Sequence, residues 1–128
     1  MAHYVDGFVV PVLLRNLNVY HRKAEQAGKI WMEHGALEYC ECIGDDVKPG
    51  KVTSFPQSVQ LKDDEVVAFS WIIYKSREDR DRINAKVMED PRMKDMMDPA
   101  KMPFDGKRMF WGGFKSIVEL ESSPVAAR

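Results

Sequence analysis

A long uncharged stretch in the second half of the chain constrains the fold most. The nine residues from Val66 to Tyr74 carry no charge, and both alternating sets of side chains are mainly apolar. A strand of this composition is buried on both faces. Ser76 follows as a helix N-cap with Asp79 three residues later, in a pattern that resembles a capping box and predicts a helix to Met88. We therefore expect a central strand that leads directly into a helix.

Three further strands and one further helix can be placed around this unit. Alternating apolar residues predict strands over residues 4–14, 37–44 and 107–120. A helical stripe of apolar residues lies between Asn16, which can cap it, and Gly35, which ends it. The order is therefore β-α-β-β-α-β. It predicts an α+β, ferredoxin-like fold, with a four-stranded antiparallel sheet and two helices on one face.

Two parts of the chain fall outside this pattern. Residues 45–64 contain two prolines and form an unusually long connection for a compact domain. They are either a lid or partly strand, since residues 51–55 could pair. We expect residues 1–120 to form a single ferredoxin-like domain and residues 121–128 to be a flexible C-terminal tail.

The sheet face without helices leads to an expectation about assembly. In a monomer this face should be polar, but the first, third and fourth strands carry apolar or aromatic residues on both faces. Such a face usually packs on another sheet. The economical partner is a second copy of the chain, so we expect a two-fold homodimer through the sheet face.

Charge and cysteine content limit the partners and the compartment. The chain has 19 basic and 20 acidic residues, which argues against nucleic acid or an anionic membrane as a partner. No apolar run approaches the roughly 20 residues of a membrane span. Cys40 and Cys42 lie too far apart along a strand for a good disulfide, so we expect reduced thiols and a cytoplasmic protein. Their spacing does not match a structural zinc site, and we expect no metal and no other cofactor.

Two residues are candidates for catalysis by proton transfer. Asp6 lies in an apolar strand with Tyr4 and Phe8 on its face, where a desolvated carboxylate would have a raised pKa and could serve as a general base. His34 lies at the end of the first helix, where it could shuttle a proton. Each also has a structural interpretation. Asp6 could pair with a basic residue, and His34 could cover the edge of the core and interact with the carbonyl end of its helix.

A group of mostly aromatic residues is a candidate for binding a flat organic molecule. Aromatic side chains are most often core or interface, but together they can line an apolar pocket in which a few polar groups give specificity. Gly112 and Gly113 predict a bulge or a close approach of a ligand to the backbone. Methionines concentrated between residues 88 and 102 are typical of a pliable gate. The ligand-binding candidates are Tyr39, Glu41, Trp71, Tyr74 and Trp111.

Six stretches of the chain resemble a single bacterial family. They are Tyr4–Pro11, His34–Tyr39, Asp45–Pro56, Ser70–Arg77, Asn84–Met88 and Met102–Met109. Together they are similar to the YbaA-like family, small proteins of unassigned function within the dimeric α/β-barrel superfamily. The resemblance reaches to about Leu120. It implies the ferredoxin-like fold and the dimer, and it brings no catalytic residues.

These observations lead to three classes of function. The first is a protein that binds a small apolar or aromatic ligand in a pocket between sheet and helices. Distant relatives in the superfamily imply that such a protein could be a cofactor-independent monooxygenase or isomerase, with Asp6 or His34 as the base. The second is a non-catalytic ligand-binding or stress-associated module, whose pocket has only paired ionisable residues. RNA binding is the third and weakest, because the aromatic strand departs from the RNA-binding consensus.

Overall fold

The structure is a computed structural model and describes residues 2–122. Its strands are β1 (Tyr4–Leu13), β2 (Glu38–Ile43), β3 (Glu65–Tyr74) and β4 (Phe110–Lys115). Its helices are α1 (Leu17–Glu33), α2 (Phe55–Ser58), α3 (Arg77–Glu89) and α4 (Pro91–Met96). Short 3-10 turns cover Leu14–Asn16 and Pro99–Lys101.

The four strands form one antiparallel sheet in the order β2-β3-β1-β4. With α1 and α3 as the two crossover helices, this is the expected ferredoxin-like arrangement, and the predicted fold class is confirmed. The transition from β3 to α3 also occurs as predicted, because the hydroxyl of Ser76 accepts a hydrogen bond from the backbone N–H of Asp79 at 3.1 Å. β4 is shorter than predicted and ends at Lys115.

The main core lies between the helices and one face of the sheet. Alternate residues of the two central strands point into it, and Ile72, Tyr74 and Val12 are almost fully buried there. On α1, Gly28 allows the ring of Tyr39 to pack closely, since a β-carbon at this position would lie 2.6 Å from the ring. Burial of this apolar surface is the main source of stability in a domain of this size.

The connection between β2 and β3 contradicts one of the two expectations, that it is partly strand. Residues 51–55 form no strand, and the segment instead contains the single turn α2. After this turn, Val59 is buried against Val9 and Val67 on the sheet face opposite to α1 and α3. The connection therefore covers part of the face that the helices leave open.

Two smaller expectations are also corrected. The side chain of Asn16 does not cap α1 and instead donates to the backbone carbonyl of Pro103 at 3.3 Å. Gly113 forms no bulge, because β4 pairs with β1 without interruption. A β-carbon at Gly113 would lie 2.6 Å from the ring of Tyr4, so this glycine makes room for a tyrosine. Of the expected flexible tail, residues 123–128 lie outside the described part of the chain.

A salt bridge holds the segment before β4 in place. Arg108 donates from both terminal nitrogens to the carboxylate of Glu65, at 2.7 and 2.5 Å, and from Nε to Asp105 at 2.9 Å. These hydrogen bonds lower the pKa of Glu65. Arg108 also donates to the carbonyl of Gln60 at 3.0 Å. This single guanidinium therefore joins the start of β3, the end of the α2 segment and the turn before β4.

The thiols and the helices bear on the expected compartment. Cys40 and Cys42 are both free thiols, with their sulfur atoms 3.8 Å apart. Among residues 2–122, no helix has the length and apolar character needed to cross a membrane. The cytoplasmic location and the single domain over residues 1–120 stay predictions.

Candidate functional site

A cavity of about 550 Å³ lies between α1, the methionine-rich segment around α4 and the helix-covered face of the sheet. Its lining is predominantly apolar. Six of the eight methionines in the chain line it: Met88, Met93, Met96, Met97, Met102 and Met109. Six aromatic residues also line it: Phe8, Tyr20, Trp31, Tyr39, Phe104 and Trp111.

Small residues on α1 leave this space open. Tyr20, Ala24, Ala27 and Trp31 are spaced by three or four positions, so they share the helix face that points into the cavity. Ala24 and Ala27 lie in the middle of that face. Because their side chains are single methyl groups, they leave a volume that leucine or phenylalanine would fill.

Glu41 is the acidic group in the cavity wall. Its two carboxylate oxygens accept hydrogen bonds from the hydroxyl of Tyr20, at 2.8 Å, and from the hydroxyl of Tyr39, at 3.0 Å. Ser70, its partner in the register between β2 and β3, provides a third hydroxyl. The carboxylate is therefore held by neutral donors from one helix and two strands.

Burial raises the pKa of Glu41, and the three hydroxyl hydrogen bonds oppose this effect only in part. Within residues 2–122, no lysine, arginine or histidine forms an ion pair with Glu41 within 4.0 Å. Burial and the charge of Glu41 also raise the pKa of both phenols, which stay neutral hydrogen-bond donors. Glu41 is thus a partly buried carboxyl group without a cationic partner.

The other end of the cavity contains a polar network around Asn84. Its Oδ1 accepts hydrogen bonds from Trp31 and Tyr74, each at 3.0 Å. Its Nδ2 faces Asp6 at 3.5 Å, and Asp6 itself accepts from Arg80 at 2.9 Å. These groups satisfy one another, so this end of the cavity has no unpaired charge among the described residues.

Three of the seven predicted site residues line the cavity: Tyr39, Glu41 and Trp111. Trp111 lies at its edge, stacked on Phe8 with ring centroids 5.9 Å apart. The other two ligand-binding candidates lie outside the cavity lining. Trp71 lies on the opposite face of the sheet, where its indole donates to Glu38 at 2.7 Å. Tyr74 is fully buried in the core behind the cavity.

The two catalytic candidates also lie outside the cavity lining, and they are not close to one another. Asp6 forms the ion pair with Arg80 and is 1% exposed. His34 contacts Asp90 at 3.1 Å at the end of α1, and Asp90 also caps α4 through the backbone N–H of Arg92. The side-chain hydrogen bonds of Arg92 and His34 lower the pKa of Asp90. Asp6 therefore matches the structural interpretation of a carboxylate paired with a basic residue, and its burial still raises its pKa. His34 is paired with Asp90, whereas its structural interpretation was an interaction with the carbonyl end of the helix.

Three further residues line the cavity but were not predicted from the sequence: Tyr20, Trp31 and Asn84. Tyr20 and Trp31 belong to the apolar stripe of the first predicted helix. That stripe was the available signal, but it does not show which part of a helix face contacts the core and which part borders a cavity. Nothing in the sequence around Asn84 distinguishes it from a solvent-exposed helical residue.

The raised pKa of Glu41 predicts a pH-dependent stability. The folded state retains a proton that the unfolded chain loses near pH 4.5, so the free energy of unfolding decreases as the pH rises from 4.5 towards neutral. The effect is about 1.4 kcal/mol when the folded and unfolded pKa values differ by one. Urea unfolding of the wild type and Glu41→Gln across this range should show the wild type losing stability relative to the variant. Glu25→Gln controls for loss of a negative charge, and parallel curves for wild type and Glu41→Gln would contradict the prediction.

Solved structures of other proteins have folds similar to that of this chain. A NIPSNAP family protein of unknown function from Agrobacterium tumefaciens has a TM-score of 0.53 at 15% identity, covering 89% of this chain and 87% of its own. A dimeric ferredoxin-like protein from an uncultured marine organism has a TM-score of 0.54 at 9% identity, covering 95% of this chain and 100% of its own. At these identities the likeness supports the ferredoxin-like fold alone.

Sequence comparison gives a stronger relationship. The uncharacterized protein YbaA from Escherichia coli K12 is 49% identical over 116 residues, which cover 91% of this chain and 97% of the relative. YbaA from Shigella flexneri matches to the same extent. The family model described as "Protein of unknown function (DUF1428)" matches residues 3–106. The resemblance to YbaA-like proteins is therefore confirmed, and the chain belongs to the DUF1428 family.

Proposed function

We propose that this protein binds a small, mainly apolar or aromatic organic molecule in the cavity between α1, α4 and the sheet. The observation that carries this proposal is a cavity of about 550 Å³ with a predominantly apolar lining and a few polar groups. Sites for small organic ligands usually have volumes of roughly 300–1,000 Å³ and this kind of lining. The volume suits a molecule of two or three fused rings.

The methionines support the same proposal. Thioether side chains have three rotatable bonds and a polarisable sulfur, so they adapt to ligands of different shape. Met97 and Met88 are still partly exposed at the surface, whereas Met93 is buried. The methionine-rich segment thus provides a buried wall at Met93 and exposed side chains at Met88 and Met97, beside which we expect a ligand to enter.

A second function, cofactor-independent proton transfer, is favoured by the state of Glu41. A general base needs a pKa near the working pH and a position beside the bound molecule. Glu41 lies in the cavity wall with a raised pKa, whereas Asp6 and His34 are paired elsewhere. In an isomerase or monooxygenase, Glu41 is therefore the residue that removes a proton from an enolic or aromatic substrate.

We also propose a homodimer through the sheet face opposite the cavity. The aromatic residues Phe69, Phe110 and Phe114 on this face are 41, 46 and 63% exposed. Exposed aromatic groups on one continuous sheet face are typical of an interface. A structural neighbour is described as a dimeric ferredoxin-like protein, which supports the same assembly.

Filling the cavity should abolish ligand binding. In Ala24→Phe and Ala27→Phe, the added rings occupy the space beside Glu41 and Trp31. We expect wild type to bind the neutral fluorescent probe N-phenyl-1-naphthylamine and both variants to lose most of this binding. Ala85→Phe, on the exposed side of α3, should bind as wild type does. Native mass spectrometry of untagged protein would then identify any ligand carried from the cell. Equal probe binding by all four proteins would contradict the proposal.

The proton-transfer function can be measured on a model carbon acid. 2-Tetralone, a bicyclic ketone that fits the cavity volume, exchanges the protons beside its carbonyl group with D2O, which proton NMR follows directly. We expect wild type to accelerate this exchange and Glu41→Gln to slow the catalysed rate by about a hundredfold, the lower range for loss of a general base. His34→Gln should retain the wild-type rate. Exchange by Glu41→Gln at the wild-type rate would exclude Glu41 as the base.

The dimer predicts a molecular mass of twice 14.7 kDa in solution. Replacing both Phe69 and Phe114 with lysine puts two charges into the proposed interface, so this variant should be monomeric in light scattering coupled to size exclusion. Met32→Lys changes an exposed apolar residue on α1 and should leave the dimer intact. A monomeric wild type across a wide range of concentrations would refute the dimer.

A further inference from the structure

The chemistry of Glu41 restricts the class of ligand beyond its size and apolar character. The carboxylate receives hydrogen bonds from hydroxyl groups, which bring no compensating charge. When an apolar ligand displaces water from the cavity, an ionised carboxylate without a counter-ion becomes costly. A ligand that carries a positive charge removes this cost, because it supplies the missing partner.

Lys23 is the basic side chain in the cavity lining, and its position leaves Glu41 unpaired. Its ammonium group donates to the backbone carbonyl of Lys101 at 2.6 Å. This hydrogen bond ties the charge to the methionine-rich segment. His21 and Glu25 border an adjoining outer groove of about 460 Å³, which shares Tyr20, Ala24, Tyr39 and Glu41 with the cavity lining. They form a loose pair of their own at 3.9 Å.

The aromatic groups around Glu41 also suit a cation. The Tyr39 ring is tilted by 31° against Trp31 with centroids 6.1 Å apart, and its hydroxyl donates to Glu41. Tyr20 contributes a further ring from α1. The faces of tyrosine and tryptophan attract ammonium groups, and the attraction is strongest where water is excluded. A carboxylate beside several such rings is a favourable setting for an organic ammonium ion.

We propose that the cavity selects organic amines in their ammonium form, with the nitrogen against Glu41 and the apolar body among the methionines. This inference rests on the proposed ligand-binding function and names its substrate class. It distinguishes the site from a purely apolar pocket, which would not discriminate by charge. It also assigns Glu41 and its two tyrosines as the residues that determine specificity.

Three naphthalene probes of the same shape and different charge test the inference. They are 2-naphthylmethylamine, 2-naphthalenemethanol and 2-naphthoate, measured by isothermal titration calorimetry at neutral pH. We expect the amine to bind about tenfold or more tighter than the alcohol, as a charge-assisted hydrogen bond implies, and the carboxylate to bind weakest. The comparison uses the wild type alone, so it does not depend on whether a variant folds.

Two variants then connect the preference to Glu41. Glu41→Gln should lose the advantage of the amine over the alcohol, because the amide keeps the size and loses the charge. Glu25→Gln removes an exposed carboxylate from the neighbouring groove and should keep the wild-type preference. An equal loss in both variants would mean that overall charge, and not Glu41, causes the preference, and would overturn the inference.

The remaining outcomes separate this inference from the function on which it rests. Tight binding of the alcohol without preference for the amine, abolished by Ala24→Phe, would keep the ligand cavity and overturn the selection of amines. Preference for the carboxylate would also keep the ligand cavity and overturn the selection of amines. It would indicate that Lys23 determines the specificity. Absence of binding by all three probes and by N-phenyl-1-naphthylamine would overturn both the inference and the proposed function.

Discussion

The arrangement of the helices depends on the buried ion pair between Asp6 and Arg80. Asp6 is 1% exposed, and its carboxylate receives the Arg80 guanidinium at 2.9 Å. Removing one partner of such a pair costs about 3–5 kcal/mol, because a charge then stays buried without compensation. This constraint holds α3 over β1. One turn later on α3, Asn84 contacts both Asp6 and the indole of Trp31, so α1 is positioned by the same carboxylate.

This network pairs Asp6, so among the described residues Glu41 is the carboxylate in the cavity wall without an ion-pair partner. The polar groups near Asp6 are satisfied by one another, and they contribute rigidity more than reactivity. Glu41 lies on β2, where tyrosine hydroxyls are its donors and, among residues 2–122, no basic side chain forms an ion pair with it within 4.0 Å. Two carboxylates that look alike in the sequence, each within an apolar strand, therefore have different roles, because arginine reaches only one of them.

Much of the fold could be predicted from the sequence, whereas the site could be predicted only in part. The uncharged run of β3 and the cap at Ser76 are local signals, and both correspond to the structure. The alternation in β3 places Trp71 and Tyr74 on opposite faces, but it cannot show which face the helices cover, so it could not decide which of the two lies near the cavity. Contacts between distant segments, such as Tyr20 with Glu41, leave no periodic signal in either segment.

Alternate side chains of β4 point to opposite faces of the sheet. Phe110 and Phe114 point to the open face, while Trp111 between them lies at the edge of the cavity. β4 is an edge strand, paired with β1 alone, so only one neighbouring strand holds it in the sheet. In the proposed dimer, a second copy would hold the two phenylalanines and with them the strand that carries Trp111. Assembly through one face would in this way fix the edge of the ligand cavity on the other.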